Sequence, residues 1–511
     1  MSAWTSGYVA DIGYTYGYYT ELNPLRAKIL FSSKGLSFPE IGTACELGFG
    51  QGVSVNLHAA ASTTRWYGTD FNPSQAGFAQ ELAAASCVDA KLYDEAFADF
   101  CQRADMPDFD YIGLHGIWSW ISDENRSIIV EFIRRKLKVG GVLYVSYNTQ
   151  PGWAAMVPMR DLLTEHAHVM GTSGQGIVSR IDAAINFVDK LMDTNPAYAR
   201  ANPQIKDRVK AIQQQNRHYV AHEYFNRDWQ PMSFADMSTW LATAKLDYAC
   251  SAHFLDHVDA VNLTAPQQSL LAEIPDPMFR ETVRDFMVNQ QFRRDYWVKG
   301  SRKVSQLLQA EKLRLQEVVL ITPRVDVTLK ATGALGEATM SEGVYNPVLD
   351  YLGDHSIRSL GEIEDALRTA GINMPQVLQS VMVLINKGDV STVQDVDVRA
   401  QAKASTARMN MYLMVLARGN NEVPCLASPV TGGGIAVSRF EKLFLLALHE
   451  GKKQPEEWAG YASQILRRLG EKILKDGKAL ESDQENLAEL VEQANVFASK
   501  RLPILKALDV I

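Results

Sequence analysis

The chain of 511 residues has no run of 18 or more apolar residues, so no membrane span is expected. Its first thirty residues lack a basic stretch followed by an apolar one, and no signal peptide is expected. Cysteine is scarce. Cys45, Cys87, Cys101, Cys250 and Cys425 are scattered and form no CxxC pair. Neither a disulfide framework nor a zinc site is indicated, no metal is expected, and a reducing cytoplasm suits such usage. Positive charge is in deficit: 51 Lys and Arg against 59 Asp and Glu leave a net charge of −8. That balance gives no overall attraction to nucleic acid or to an anionic membrane. What remains is an ordinary globular composition, 46% hydrophobic and 22% charged, at a length that suits about three domains.

From about residue 40 to 147, short apolar runs alternate with longer periodic segments. "IGTACELG", "TRWYGTDF", "DAKLYD", "FDYIGLH" and "GVLYVSYN" read as five strands. Helical segments separate them, the last being "DENRSIIVEFIRRKLKV", stopped at Gly140-Gly141. Strands so separated imply βαβ crossovers and a parallel sheet covered on both faces. Residues 155–228 are helical by period and too long for a loop, which makes them an insertion. "KLDYACSA" and "FRRDYWVKG" then supply strands six and seven, so residues 229–300 complete the domain begun by residues 1–154. Residues 301–400, with three short helices and strands, suggest a winged-helix-like unit. Residues 401–511 form a mostly helical C-terminal region.

The chemistry concentrates in "CELGFGQG". Glu46 ends a strand, and Gly48, Gly50 and Gly52 alternate before a helix, where glycine permits a sharp turn and close approach to a ligand. Alone, such a turn is as consistent with a generic loop as with a nucleotide site. The second strand, however, ends in "GTDFNP". An acidic side chain there, Asp70, can accept both hydroxyls of a ribose. The GxGxG spacing departs from GxGxxG and makes less provision for a pyrophosphate. A neutral or cationic nucleoside is the expected ligand.

With these residues the sequence resembles the class I S-adenosylmethionine-dependent methyltransferases, over roughly residues 1–154 and 230–300. "ELGFGQG" is similar to their first motif and "GTDFNP" to their ribose-binding loop. "LYDEAF" lies where that family meets adenine, and "LKVGGVLYVSYN" is similar to the element before strand five. "YTYGYYTELNP", "HGIWSWI", "SYNTQPGW", "HEYFNRDWQP" and "FRRDYWVKG" further resemble the bacterial methyltransferases that carry a methyltransferase regulatory domain. That group includes the rickettsial protein lysine methyltransferases, which modify an outer-membrane protein. The resemblance implies a Rossmann-like seven-stranded α/β sheet and S-adenosyl-L-methionine as methyl donor. It implies weakly a protein-lysine substrate, an outer-membrane protein among the candidates, with a small-molecule acceptor as the alternative. A cofactor-binding regulator without turnover is a third.

The same resemblance implies roles for single residues. Glu46 would order the methionine end, with Gly48, Phe49, Gly50 and Gly52 as the floor. Asp70 would hold the ribose, with Phe71 and Asn72 beside it. Asp94, Glu95 and Ala96 would meet the adenine, with Phe97 as a wall. His115 and Gly116 would lie near the sulfonium.

A lysine nucleophile must lose its proton, and His115, Tyr16 and Tyr18 are the candidate acceptors. Aromatic faces suit a cation. Trp118, Trp120, Tyr147, Asn148 and Trp153 follow strands four and five and are expected on the substrate side. Against this, His115 reads equally as a hydrogen-bonded histidine, the tryptophans as core, and "NTQPGW" as a plain turn. Tyr14, Tyr16, Tyr18 and Tyr19 crowd the segment before the first strand. They suit a lid that covers donor and acceptor, with an edge strand as the other reading. In the winged-helix-like unit, "PQVLQSVMVLINKG" carries one lysine and no arginine. No nucleic-acid partner is therefore expected, and protein contact or a homodimer is.

Overall fold

The computed structural model describes residue 8, residues 15–172 and residues 174–511. Seven strands form one sheet: β1 (Thr43–Leu47), β2 (Arg65–Thr69), β3 (Lys91–Tyr93), β4 (Phe109–Leu114), β5 (Leu137–Asn148), β6 (Leu246–Ser251) and β7 (Phe292–Lys299), in the order β3-β2-β1-β4-β5-β7-β6. β1 to β5 run parallel, and β7 is antiparallel to both β5 and β6. The order reverses at β1, so β1 and β4 diverge toward their connecting helices and open a crevice at their C-terminal ends. This is the Rossmann-like seven-stranded sheet expected from the sequence.

Local chemistry sets the element ends. Asn72 caps the helix Pro73–Ser86 by accepting from the Ser74 amide at 3.0 Å, with proline in the first turn. The helix Asp123–Lys136 opens on Ser122, Asp123 and Glu124 and closes on Arg134, Arg135 and Lys136, which matches its dipole. It ends at Lys136, short of the expected stop at Gly140-Gly141. Leu137 is drawn instead into pairing with Phe109, and β5 begins there.

Between β5 and β6 the inserted segment folds as helices, among them Val157–Val169, Ile177–Asp193, Gln204–Gln214 and Arg217–Tyr224. They enclose their own core around Ile181, Ile185, Val188 and Ile212. Residues 301–400 contain β8 (Glu317–Leu320), the hairpin β9 (Lys330–Gly333) and β10 (Gly336–Thr339), then β11 (Arg358–Ser359) and β12 (Val390–Thr392). β8, β11 and β12 form an antiparallel sheet in the order β11-β8-β12.

The helix Val396–Leu416 runs across residue 400, and β13 (Cys425–Ser428) pairs with β14 (Gly433–Ala436). Val53, Leu57, Ala60 and Leu82 of the first sheet's helices share one core with Met409, Leu413, Leu426 and Ile435. The C-terminal region is thus seated on the helix that follows the glycine loop. Among the described residues no helix is long and apolar enough to cross a membrane, and no cluster of three metal-ligating side chains occurs.

Candidate active site

The glycine loop folds as β1 and β2 require. The amides of Gly48 and Phe49 donate to the Thr69 carbonyl at 2.8 and 3.3 Å, tying the end of β1 to the end of β2. Gly48 (φ +73°) and Gly52 (φ +68°) are left-handed. A Cβ on either would stand 2.4 Å from Ile117 or Ala79, so only glycine fits. Asp70 Oδ2 accepts from the Gly50 amide at 2.9 Å and Oδ1 from the Asn72 amide at 3.0 Å. Each oxygen keeps a further lone pair for a ligand.

Glu46 is 3% exposed, and its Oε2 has no hydrogen-bond partner among the described residues. Burial first, then the nearby Asp70 charge, pushes the Glu46 carboxyl up to about 8. Burial likewise raises Asp70 to about 6, opposed by its two amide bonds. Two buried acids beside a glycine turn, one with an orphaned oxygen, form a cradle for a hydroxylated, cationic ligand.

The second half of the site is the β4–β5 edge. Strand alternation divides β5 into two sets. Tyr144 and Ser146 face the site: Tyr144 OH lies 2.8 Å from His115 Nδ1, and Ser146 Oγ accepts from the Gly116 amide at 2.8 Å. Asn148 shares their parity. Its backbone amide donates to Ser119 Oγ, and its buried Nδ2 has no hydrogen-bond partner among the described residues. Tyr19 stacks on His115 at 4.1 Å between ring centroids. Burial lowers His115 to about 4, outweighing the Glu21 carboxylate that favours its charged form, so the ring is neutral at pH 7. The inserted helix Arg217–Tyr224 closes the far side. Trp120 Nε1 donates to the Glu223 carbonyl at 3.4 Å, and burial raises the Glu223 carboxyl to about 7. Tyr8 packs edge-on to Phe71 at 5.6 Å and beside His222, with the charges of Asp70 and Glu223 both acting on its phenol.

Comparison with known proteins agrees with this architecture. The structure of PKMT2 from Rickettsia typhi, in complex with AdoHcy, matches with a TM-score of 0.67 at 18% identity, over 97% of this chain and 99% of that one. Residues 216–299 match the family described as predicted methyltransferase regulatory domain. The uncharacterized protein sll1526 of Synechocystis is 38% identical over 512 residues, 99% of each chain. The chain belongs to one family with sll1526, carries the predicted methyltransferase regulatory domain and shares the fold of PKMT2. The uncharacterized protein RP028 of Rickettsia prowazekii is 30% identical over 197 residues, 37% of this chain and 76% of that protein. The matched regulatory segment holds β6, β7 and the helix bearing Glu223.

The fold brings Tyr19, Glu46, Gly48, Gly50, Gly52, Asp70, Phe71, Asn72, His115, Gly116 and Asn148 to the C-terminal ends of β1, β2, β4 and β5. Phe49 is buried beneath the loop, where it occupies the space that a side chain on Gly68 would need. Asp94 is exposed, Ala96 precedes the short helix Phe97–Phe100, and Phe97 leans on the core below β3. The Glu95 carboxylate is turned onto Arg103 at 2.6 Å, while its backbone carbonyl takes the Thr69 hydroxyl.

Several expected residues sit elsewhere. Tyr16 packs edge-on to Phe78 and near Glu422. Tyr18 meets His58 at 3.2 Å, in the last turn of the helix Val53–Ala61, and crowds Gly433 and Gly434. Alternation in this extended segment turns both rings toward the C-terminal region, while Tyr19 meets His115. Tyr14 lies outside the described residues. Trp118 is core, 1% exposed, against Trp240 and Met232. Tyr147 has the wrong parity on β5, and its hydroxyl donates to Asp295 on the far face. Trp153 is buried among Tyr224, Trp229 and Arg208 in the inserted helices. Glu21, Tyr144, Ser146 and Glu223 were not expected. The parity of Tyr144 and Ser146 with Asn148 was a usable signal, whereas nothing in the sequence links Glu223 to the first sheet.

Proposed function

We propose that this methyltransferase binds S-adenosyl-L-methionine in the glycine cradle and methylates the side-chain amine of lysine in a protein. The orphaned, buried Glu46 carboxyl beside Asp70 carries the reading. An unpartnered acid is costly to bury, and a ligand that offers an ammonium and ribose hydroxyls would satisfy both acids. Glu46 would hold the methionine end and Asp70 the ribose, with Phe71 alongside. Bound there, the cofactor supplies a sulfonium methyl open to in-line displacement.

The chain's own residues do the rest. Tyr19, His115 and Tyr144 stack into a rigid wall, which favours alignment over chemistry. His115, held near 4 and engaged with Tyr144 at Nδ1, is too weak a base for an ammonium. Glu223, raised to about 7, is better matched to take the amine's proton. The likeness to PKMT2 over nearly the whole chain, accessory regions included, favours a macromolecular acceptor over a metabolite.

The test is incubation with methyl-labelled donor and either cell lysate or denatured outer-membrane protein. Label on lysine in protein bands supports the proposal. Label confined to small molecules would replace the acceptor, and donor binding without transfer would leave a regulator.

A further inference from the structure

Away from the cradle, a cavity of about 340 Å³ lies where three parts of the chain meet. Arg26 on the helix Pro24–Ser33 and Arg294 on β7 line it from the first sheet's side. Asn386, on the helix Met374–Lys387, lines it from residues 301–400, and Thr431 from the β13–β14 turn.

Its basic side chains are unevenly matched. Lys387 is paired with Asp389 at 3.0 Å, and His253 with Asp256 at 3.2 Å. Arg294 holds Glu21 at 3.4 Å. Arg26 has no ion pair among the described residues. It lies over the Phe254 ring at 4.8 Å, and its buried Nε has no hydrogen-bond partner. The hydroxyl of Thr431, a residue only 3% exposed, also has no hydrogen-bond partner among the described residues. Arg294 is thus paired while Arg26 is not, and two unsatisfied polar atoms, Arg26 Nε and the Thr431 hydroxyl, belong to residues that line one small space.

We propose that this cavity binds an oxyanion, the phosphate or carboxylate group of a small ligand, between Arg26 and Arg294. Each guanidinium offers a planar fork of donors that matches two oxygens of such a group. The Thr431 hydroxyl adds a neutral donor from the C-terminal region. An anion held there fastens residues 301–400 and the β13–β14 turn to the first sheet. It also competes with Glu21 for Arg294. Because Glu21 is the carboxylate that acts on His115, occupancy reaches the wall of the crevice.

The test is thermal unfolding of the full chain in sodium phosphate and in sodium citrate, each against sodium chloride at equal ionic strength. The proposal expects a saturable rise in Tm, and the more effective salt assigns the ligand as phosphate or carboxylate. Arg26→Gln should raise the half-saturating concentration about tenfold or more. Thr431→Val should raise it less, and serves if Arg26→Gln does not fold. Lys478→Gln, on an exposed hairpin remote from the cavity, should leave it unchanged. No saturable rise in either salt would overturn the proposal. So would half-saturation equal to wild type in Arg26→Gln and Thr431→Val.

Discussion

Replacing Glu46 by glutamine isolates what burial does to the cradle. The wild-type carboxyl is 3% exposed, with one oxygen unpartnered, and burial followed by the Asp70 charge pushes it from an ordinary 4.5 to about 8. The folded chain therefore holds a proton that the unfolded chain releases across that interval. The stability this group contributes is complete below about pH 4.5 and is lost as pH rises through about 8. At 1.36 kcal/mol per unit, the loss is about 3 kcal/mol at pH 7 and about 5 kcal/mol above pH 8. Glutamine keeps the shape and carries no titrating proton. Glu46→Gln should match wild type near pH 4.5 and grow more stable relative to it with rising pH. Several packed regions share this chain, so the readout is local: hydrogen-exchange protection of β1 and β2 amides from pH 5 to 8. Donor affinity should move the opposite way and weaken, because glutamine cannot give up a proton to form the carboxylate that is proposed to pair with the methionine ammonium. Protection that stays parallel in the two proteins across this range would refute the reasoning, since Glu46 would then titrate as an exposed acid does.

Trp118→Ala should cost about 3–5 kcal/mol in unfolding free energy while donor Kd in the folded protein is unchanged. A large change in Kd at full stability would return Trp118 to the site. Tyr18→Phe should lose about 1 kcal/mol with the His58 hydrogen bond and keep wild-type donor affinity by calorimetry. Weaker donor binding with no loss of Tm would reverse that assignment. With Glu223 as the proposed acceptor, ionised when it acts, kcat should rise with pH through about 7. Glu223→Gln should lower kcat and flatten that limb, and a limb that persists in the variant would assign it to another group.

The sheet was legible because its strands are continuous apolar runs separated by helices, and that order by itself places Glu46 and Asp70 at neighbouring strand ends. Strand parity was harder to use. Tyr144, Ser146 and Asn148 alternate with Val145 and Tyr147, but the sequence does not say which set meets the crevice. Pairing of β5 with β7 decides it by setting Tyr147 opposite Arg293, from where its hydroxyl reaches Asp295. The tyrosine run posed the same problem. Tyr16 and Tyr18 are claimed by the C-terminal region, whose docking on the helix Val53–Ala61 no local pattern announces. Trp153 belongs to the inserted helices for a similar reason: its partners Tyr224 and Trp229 lie some seventy residues onward. Glu223 reaches the site only through the packing of that insertion, so a reading of local motifs passes over it.

The central claim is that the glycine cradle holds S-adenosylmethionine through Glu46 and Asp70. Calorimetric titration of the full chain with S-adenosylmethionine, in wild type and Asp70→Ala, tests it most directly. The account predicts one saturable site in wild type and an affinity at least about tenfold weaker in the variant, since ionic hydrogen bonds to the ribose are lost. Equal affinity in the two proteins, or no binding to wild type, would contradict it.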